Sequence, residues 1–365
     1  MPLLGRMVAS PLFVDVRRHA VADLPALLSS RYISAAGDVL VAVGPGQGEQ
    51  IWNELRDSLP HADVTTIRGG SLEAAGEVQA VLTGRNYDAV VAIGGGRTLD
   101  VAKYAATRAA VPMIAVATNL AHDGLCSPVA SLEYRGGKGS FGVAMPLGVV
   151  VDLDYVQAAP PRMVRSGIGD AVSNLSAIED WQLASRERGE PIDGLAVTFA
   201  RTAAEAILHR VDGIDDDDFL IALAEALVLS GMAMSVAGTS RPCSGACHEI
   251  IHAVDSMYPG KSNHGELAGI GALFAYFLRE NNPSRAGGTD ASANSPSRFD
   301  QIAACLSRHD LPRTPAEIGL TDEQFRDAVL KAPSMRPDRY TILEHLDLDS
   351  DEIDRQVAAF VQRLS

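Results

Sequence analysis

AVVAIGGGRTLDVAKYAA, residues 89–106, joins an apolar run to three glycines and then to a segment that continues at helical spacing through Asp100 and Lys103. This predicts a strand, a tight turn and a helix. Glycines at such a junction let the backbone approach a ligand closely, and the unpaired N–H groups opening the helix attract a pyrophosphate. A tight turn with no ligand would need the same residues. Around it, β-rich runs alternate with helical stretches: VLVAVG (39–44), DVTTIRG (63–69), MIAVAT (113–118) and GVVVDL (148–153), with GEQIWNELRDSL and LEAAGEVQAVLTG between. Strands alternating with helices predict βαβ units and a parallel sheet.

Two further turns end predicted strands. VGPGQG (43–48) has the spacing G-x-G-x-G, one residue short of the usual dinucleotide fingerprint. ATNLAHDGLCSP (117–128) supplies Thr118, Asp123 and Ser127, although its Asp-Gly pair also suits an ordinary turn. Glycine-rich turns at the carboxyl ends of strands in one sheet are what a dinucleotide site requires. After DVTTIRG no clear acidic residue is available for a ribose 2′-hydroxyl, which leaves NAD and NADP both open.

Beyond about residue 158 the β-type runs stop and long helical patterns follow, including DAVSNLSAIEDWQLASRE and DGLAVTFARTAAEAILHRV. Two domains are expected, an α/β domain over 1–157 and a helical one over 158–365, with a ligand cleft between them. The chain has 365 residues, 47% hydrophobic and 21% charged, with a formal net charge of −15. That charge argues against nucleic acid or an anionic membrane as partner, so a phosphate-bearing ligand must be held by local devices. The N-terminus lacks a secretory pattern, four irregularly spaced cysteines do not make a disulfide scaffold, and the cytoplasm is the expected location. FLIALAEALVLSGMAMSVAGTS (219–240) is apolar enough to cross a membrane, but Glu225, Gly231 and the preceding aspartates favour a buried central helix. NNPSRAGGTDASANSPS (281–297) reads as a mobile surface loop.

In the second half, chemistry concentrates in SGIGDAVSN with Asp170, SGACHEIIHAVD with His248 and His252, and SNHGELAG with His264. Two histidines and a carboxylate leave an open position on zinc or a similar divalent ion. Each residue also has an ordinary structural explanation, such as a helix cap or a buried hydrogen-bonded imidazole. His248-Glu249-Ile250-Ile251-His252 matches the H-E-x-x-H protease signature. The extended form would need Gly and His where Asp255 and Tyr258 stand, and a protease has no use for the dinucleotide-like first half. The other protease class could draw Glu266 as a ligand. Cys243 and Cys247 find no second Cys/His pair to complete a structural zinc site.

The ordered set GGGRTLDVAK, ATNLAHDGLCSPVASL, GIGDAVSNLSAIEDWQLA, SRPCSGACHEIIHAVD, HGELAGIG and RPDRYTILEHL, spread over residues 40–350, resembles the sn-glycerol-1-phosphate dehydrogenase family. That family sits in the superfamily of glycerol dehydrogenases, iron-containing alcohol dehydrogenases and dehydroquinate synthases. The resemblance implies a dehydroquinate synthase-like fold: a Rossmann-like α/β nucleotide-binding domain and an all-α domain. It further implies NAD(P)(H), a zinc-type ion and a homo-oligomer. Transferred by position, Gly94, Gly95 and Gly96 would cradle the pyrophosphate near Asp100, Thr118 and Ser127 would line the nicotinamide, and Asp123 would approach the substrate. Asp170, His248 and His264 would be the metal ligands, and His252 would lie beside them without binding the ion. Cys247 stands where the family often has Glu, and Leu267 where a polar residue is common, both near the substrate pocket.

The implied reaction is hydride transfer between NAD(P)H and a small ketone, most simply dihydroxyacetone phosphate, with the metal polarising the carbonyl and His252 or water handling the proton. Another phosphorylated or a free ketone or polyol fits the same reading. The alternative within the superfamily is a sugar-phosphate cyclase that uses NAD transiently and eliminates phosphate. Such enzymes carry extra active-site Lys and Arg, whereas the metal-bearing motifs here hold only Lys261 and Arg241.

Overall fold

The computed structural model describes residues 8–135, 137–283 and 296–364, so most of the predicted loop at 281–297 lies outside the described residues. The first part contains β1 (Phe13–Arg17), β2 (Val39–Val43), β3 (Asp63–Thr66), β4 (Ala89–Gly94), β5 (Met113–Ala117), β6 (Val129–Tyr134), β7 (Gly137–Gly142) and β8 (Gly148–Asp152). Between them run α1 (Leu24–Ser30), α2 (Gln47–Leu55), α3 (Leu72–Gly84) and α4 (Gly96–Ala109), and α5 (Leu153–Ala158) follows β8. Six strands form a sheet in the order β1-β8-β5-β4-β2-β3, and every pair in it is parallel. Helices cover a parallel sheet on both faces. That is why β2, β4, β5 and β8 are buried at every position and read as unbroken apolar runs.

Three strands escaped the sequence reading. β1 is an edge strand, buried only at Phe13, and its FVDVR mixes charged with apolar residues because one side faces water. β6 and β7 form a separate antiparallel pair in which β7 reads GKGSFG, three glycines in six residues, a composition that argues against a strand by propensity.

The strand order places the two glycine-rich turns side by side. From β2 the chain passes to β3 on one side, then crosses back to β4 on the other, so the reversal of direction falls between β2 and β4. Ligands of open α/β sheets bind at such a switch point, beyond the carboxyl ends of the strands. Those ends are where Gly44–Gly48 and Gly94–Gly96 sit, and Gly44 N–H donates to Ile93 O at 2.9 Å.

The remaining helices are α6 (Pro161–Arg188), α7 (Gly194–Leu208), α8 (Asp217–Ala237), α9 (Ala246–Met257), α10 (His264–Asn281), and then Arg298–Arg308, Asp322–Lys331, Ile342–Leu346 and Ser350–Leu364. The chain separates into two compact units, residues 1–164 with 214–236, and 165–213 with 237–365. Thus α8 clusters with the α/β unit although it follows the change to all-helix. It is long and apolar enough to cross a membrane, yet 67% of that stretch is buried inside the fold. A Cβ at Gly231 on α8 would come within 2.8 Å of the backbone of Cys126 and Ser127. The second unit is centred on Phe274, Phe277, Phe299, Phe325 and Phe360, with Phe274 edge-on to both Phe325 and Phe360 at 5.3 Å.

Candidate functional site

In the first unit, Gly95 is the N-cap of α4 and makes no side-chain hydrogen bond, so no capping side chain occupies the first N–H groups of that helix beside the glycine turn. The turn is crowded from within. A Cβ on Gly94 would stand 2.7 Å from Thr98 Cβ, one on Gly95 2.6 Å from Asn119 Nδ2, and one on Gly96 2.3 Å from His122 Nε2. Hence the turn after β5 folds over the turn after β4, and Thr118 N–H donates to Gly94 O at 3.1 Å. Asn119 and His122 are additions to the sequence-derived set. Asp123 opens a short 3-10 turn in which its carbonyl accepts from Cys126 and Ser127 N–H at 3.0 Å.

Asp100 and Ser127, both buried, join a buried polar knot. Asp100 Oδ2 accepts from Ser131 N–H at 3.0 Å, and Asp100 Oδ1 lies 3.0 Å from the ammonium of Lys103, whose side chain has no exposure. Lys103 donates to the carbonyls of Ser127 at 3.2 Å and Val129 at 2.6 Å. The pair ties α4 to the start of β6 and so braces the loop carrying Asp123 and Ser127.

In the second unit, the structure brings together Asp170 on α6, His248 on α9 and His264 at the start of α10. One ligand atom from each lies within 4.8 Å of the others. His264 Nε2 is 3.5 Å from Asp170 Oδ1, His248 Nε2 is 3.9 Å from the same oxygen, and the two imidazole nitrogens are 3.2 Å apart. Tetrahedral ligands about 2.0–2.2 Å from a zinc-type ion stand roughly 3.3–3.6 Å from one another, so the set fits one divalent cation. Burial, then His264, Arg336, His252 and Arg339, hold His248 well below the ordinary imidazole range. It is therefore neutral, the form that ligates a metal. Asp170 is 4% exposed and His264 is 37% exposed, so the open side of the centre lies toward His264.

Glycines set these distances. A Cβ on Gly265 would stand 1.7 Å from Ser166 O, and one on Gly169 2.2 Å from Gly265 O. The backbones of α6 and α10 therefore touch beside Asp170 and His264. A Cβ on Gly271 would stand 2.8 Å from Cys247 Cα, which brings α10 against α9 next to His248. Asp180, fully buried on α6, completes the frame. Its Oδ2 accepts from Ala246 N–H, its Oδ1 from Ile342 N–H, both at 2.8 Å, and Arg279 pairs with it. One carboxylate thus anchors the start of α9 and of the helix Ile342–Leu346.

Glu249 is fully buried and lies 3.0 Å from the Thr341 hydroxyl. Burial, then Glu344 and Asp180, push its carboxyl up to about 9, so it keeps its proton at neutral pH. A neutral carboxyl cannot serve as the base a metalloprotease needs, which removes the remaining chemistry of the H-E-x-x-H match. His252, one helical turn after His248, has its Nε2 2.8 Å from Arg336 Nη2. Arginine only donates, so Nε2 is the acceptor. Arg336 and Arg339 both reach the Ser240 hydroxyl, at 3.3 and 2.6 Å; the sequence reading left both arginines out of the site. Lys261 instead donates to Gly319 O at 3.0 Å in an exposed position. The four cysteines are buried, and none of them forms a disulfide.

A family model described as iron-containing alcohol dehydrogenase matches residues 15–160. The chain is 36% identical over 358 residues to glycerol-1-phosphate dehydrogenase [NAD(P)+] of Archaeoglobus fulgidus, covering 96% of this chain and 97% of that one. It is 33% identical to the enzyme of the same name from Methanosphaerula palustris, over 92% and 89% of the two chains. Among solved structures, glycerol dehydrogenase from Schizosaccharomyces pombe superposes with a TM-score of 0.74 at 21% identity, over 99% of this chain and 92% of that one. Maleylacetate reductase from Agrobacterium tumefaciens superposes at 0.71 and 16% identity, over 97% of each chain. At such identities the structures speak for the fold alone, which is that of the superfamily. The sequence relatives go further, because they match at about a third identity over nearly the whole chain, and this chain belongs to the glycerol-1-phosphate dehydrogenase family.

Proposed function

We propose that the protein reduces dihydroxyacetone phosphate, or a closely related phosphorylated ketone, to sn-glycerol 1-phosphate or its counterpart, using NADH or NADPH. The observation that carries this reading is the convergence of Asp170, His248 and His264 at ligand spacing in a chain related to enzymes named glycerol-1-phosphate dehydrogenase [NAD(P)+]. We assign the centre to zinc, which the imidazole and carboxylate donors suit. A divalent ion there supplies Lewis acidity to the carbonyl oxygen, and the nicotinamide supplies the hydride.

The chain's own residues do the rest. Asp170 contributes a buried negative charge and His248 a neutral ring, while His264 stands at the open side. In the other unit, the α4 N-terminus and Gly94, Gly95 and Gly96 receive the pyrophosphate, with Asp100 and Lys103 bracing the loop that presents Thr118, Asp123 and Ser127. His252 handles the proton. With Nε2 engaged by Arg336, the transferable proton is the one on Nδ1. We place the enzyme in the cytoplasm, in line with four cysteines that form no disulfide, and expect a homo-oligomer.

The test is absorbance at 340 nm with NADH and with NADPH against phosphorylated and free small ketones, with and without added zinc. Zinc-dependent turnover of dihydroxyacetone phosphate, lost together with bound metal in Asp170→Ala and His264→Ala, is the expected result. Activity confined to free ketones would refute the phosphate part. Variants that keep both metal and turnover would refute the centre.

A further inference from the structure

We propose that Arg336 and Arg339, with the hydroxyls of Ser240 and Ser244, form the subsite that binds the substrate's phosphate monoester. This rests on the phosphorylated-ketone reading above and assigns residues to it. Arg336 donates to Ser240 Oγ at 3.3 Å, Ser244 Oγ at 3.2 Å and His252 Nε2 at 2.8 Å. Arg339 donates to Ser240 Oγ at 2.6 Å and to the Ser244 carbonyl. Two guanidinium groups therefore meet over one hydroxyl, and both are half-buried.

What the cluster lacks is a direct carboxylate partner. Among the described residues neither Arg336 nor Arg339 is in an ion pair with a carboxylate. Arg241 is different, because Glu190 takes it at 2.7 Å in a two-pronged pair. Burial and the neighbouring guanidiniums depress both groups, Arg339 to about 10. Such strain on a charge pair is common where a ligand of opposite sign belongs. In a chain of net charge −15, this is a locally positive cluster. Two planar forks and two hydroxyls match the oxygens of a phosphate monoester, which guanidinium binds in a bidentate way.

The location suits a short substrate. His252, which Arg336 touches, follows the metal ligand His248 by one turn of α9, and residues so spaced stand about 5–6 Å apart on the helix surface. A small ketone can present its carbonyl at the metal centre while its phosphate reaches the arginines. Free dihydroxyacetone would leave the forks without an anion.

The test compares wild type, Arg336→Met and Arg339→Met, zinc-loaded and checked for folding by circular dichroism. It measures kcat/KM for dihydroxyacetone phosphate and for dihydroxyacetone, and competitive inhibition by inorganic phosphate. Each substitution is expected to lower the ratio of the two kcat/KM values about 10- to 100-fold, mainly through KM, and to weaken phosphate inhibition by a similar factor. An unchanged ratio with unchanged phosphate inhibition overturns the proposal while the dehydrogenase reading stands. Wild-type turnover of free ketones alone overturns both the subsite and the phosphorylated-ketone reading on which it rests. Should Arg339→Met fail to fold, Arg339→Lys keeps the charge, loses the fork and is expected to show an intermediate loss. Inorganic phosphate that fails to compete with dihydroxyacetone phosphate in the wild type also overturns it.

Discussion

Replacing Gly265 with alanine tests whether glycine contacts, and not the ligands alone, set the metal centre. The new Cβ would stand 1.7 Å from Ser166 O, where 3.0 Å is the practical minimum. The backbones of α6 and α10 must then separate locally by at least 1.3 Å, the gap between those two values. Metal–ligand distances tolerate only about 0.2 Å. Asp170 Oδ1 and His264 Nε2, now 3.5 Å apart, ride on the separating helices. Two ligands at about 2.1 Å cannot stand more than about 4.2 Å apart and still share an ion. Overpacking should also cost roughly 1–3 kcal/mol of stability. Zinc titration of the metal-free variant by calorimetry, with thermal melts recorded with and without zinc, should show affinity at least 10- to 100-fold weaker than wild type, the range that loss of supporting contacts produces. Zinc should then add less to the melting temperature than in the wild type. A Gly265→Ala protein that folds and binds zinc with wild-type affinity would refute the reasoning.

Two further outcomes follow from buried ionisable groups. Glu249 has a folded value of about 9 against 4.5 in the free side chain. It is neutral in both states below about pH 4.5. Between 4.5 and 9 only the unfolded chain ionises, so stability falls by about 1.4 kcal/mol per pH unit, reaching about 3 kcal/mol at pH 7. Glu249→Gln should remove that slope and stabilise the protein at pH 7–8; urea melts across this range with identical slopes for variant and wild type would contradict it. Lys103→Met should cost about 3–5 kcal/mol because it leaves the Asp100 carboxylate buried beside no cation. The double variant with Asp100→Asn should recover part of the loss, and denaturant curves that show no recovery would count against the pairing.

The parallel sheet was legible because strands buried on both faces must be apolar throughout, and 39–43, 89–94, 113–117 and 148–152 leave little alternative. β1 was not, because at the sheet edge only Phe13 is buried and the run carries Asp15 and Arg17, and β7 was not, because its glycines contradict propensity. Asp170, His248 and His264 could be named as candidates, since their residue types announce metal chemistry. Their 78- and 16-residue separations from one another say nothing of distance in space. The glycines of SGIGD and HGELAGIG carried the missing signal. At Gly169, Gly265 and Gly271 a side chain would hold two helices apart.

Residue type and periodicity by themselves determined the α/β and all-helical halves, the glycine turns and the chemical nature of the metal ligands, because these depend on local backbone geometry and on side-chain donors. Only the tertiary structure decided that β2 and β4 are neighbours at the sheet's switch point, that Glu249 is a buried neutral acid, and that Arg336 and Arg339 lie one contact from His252. These facts arise from packing between segments some 50 to 90 residues apart in the chain. Desolvation and charge proximity, which set protonation and ligand affinity, exist only once those segments meet.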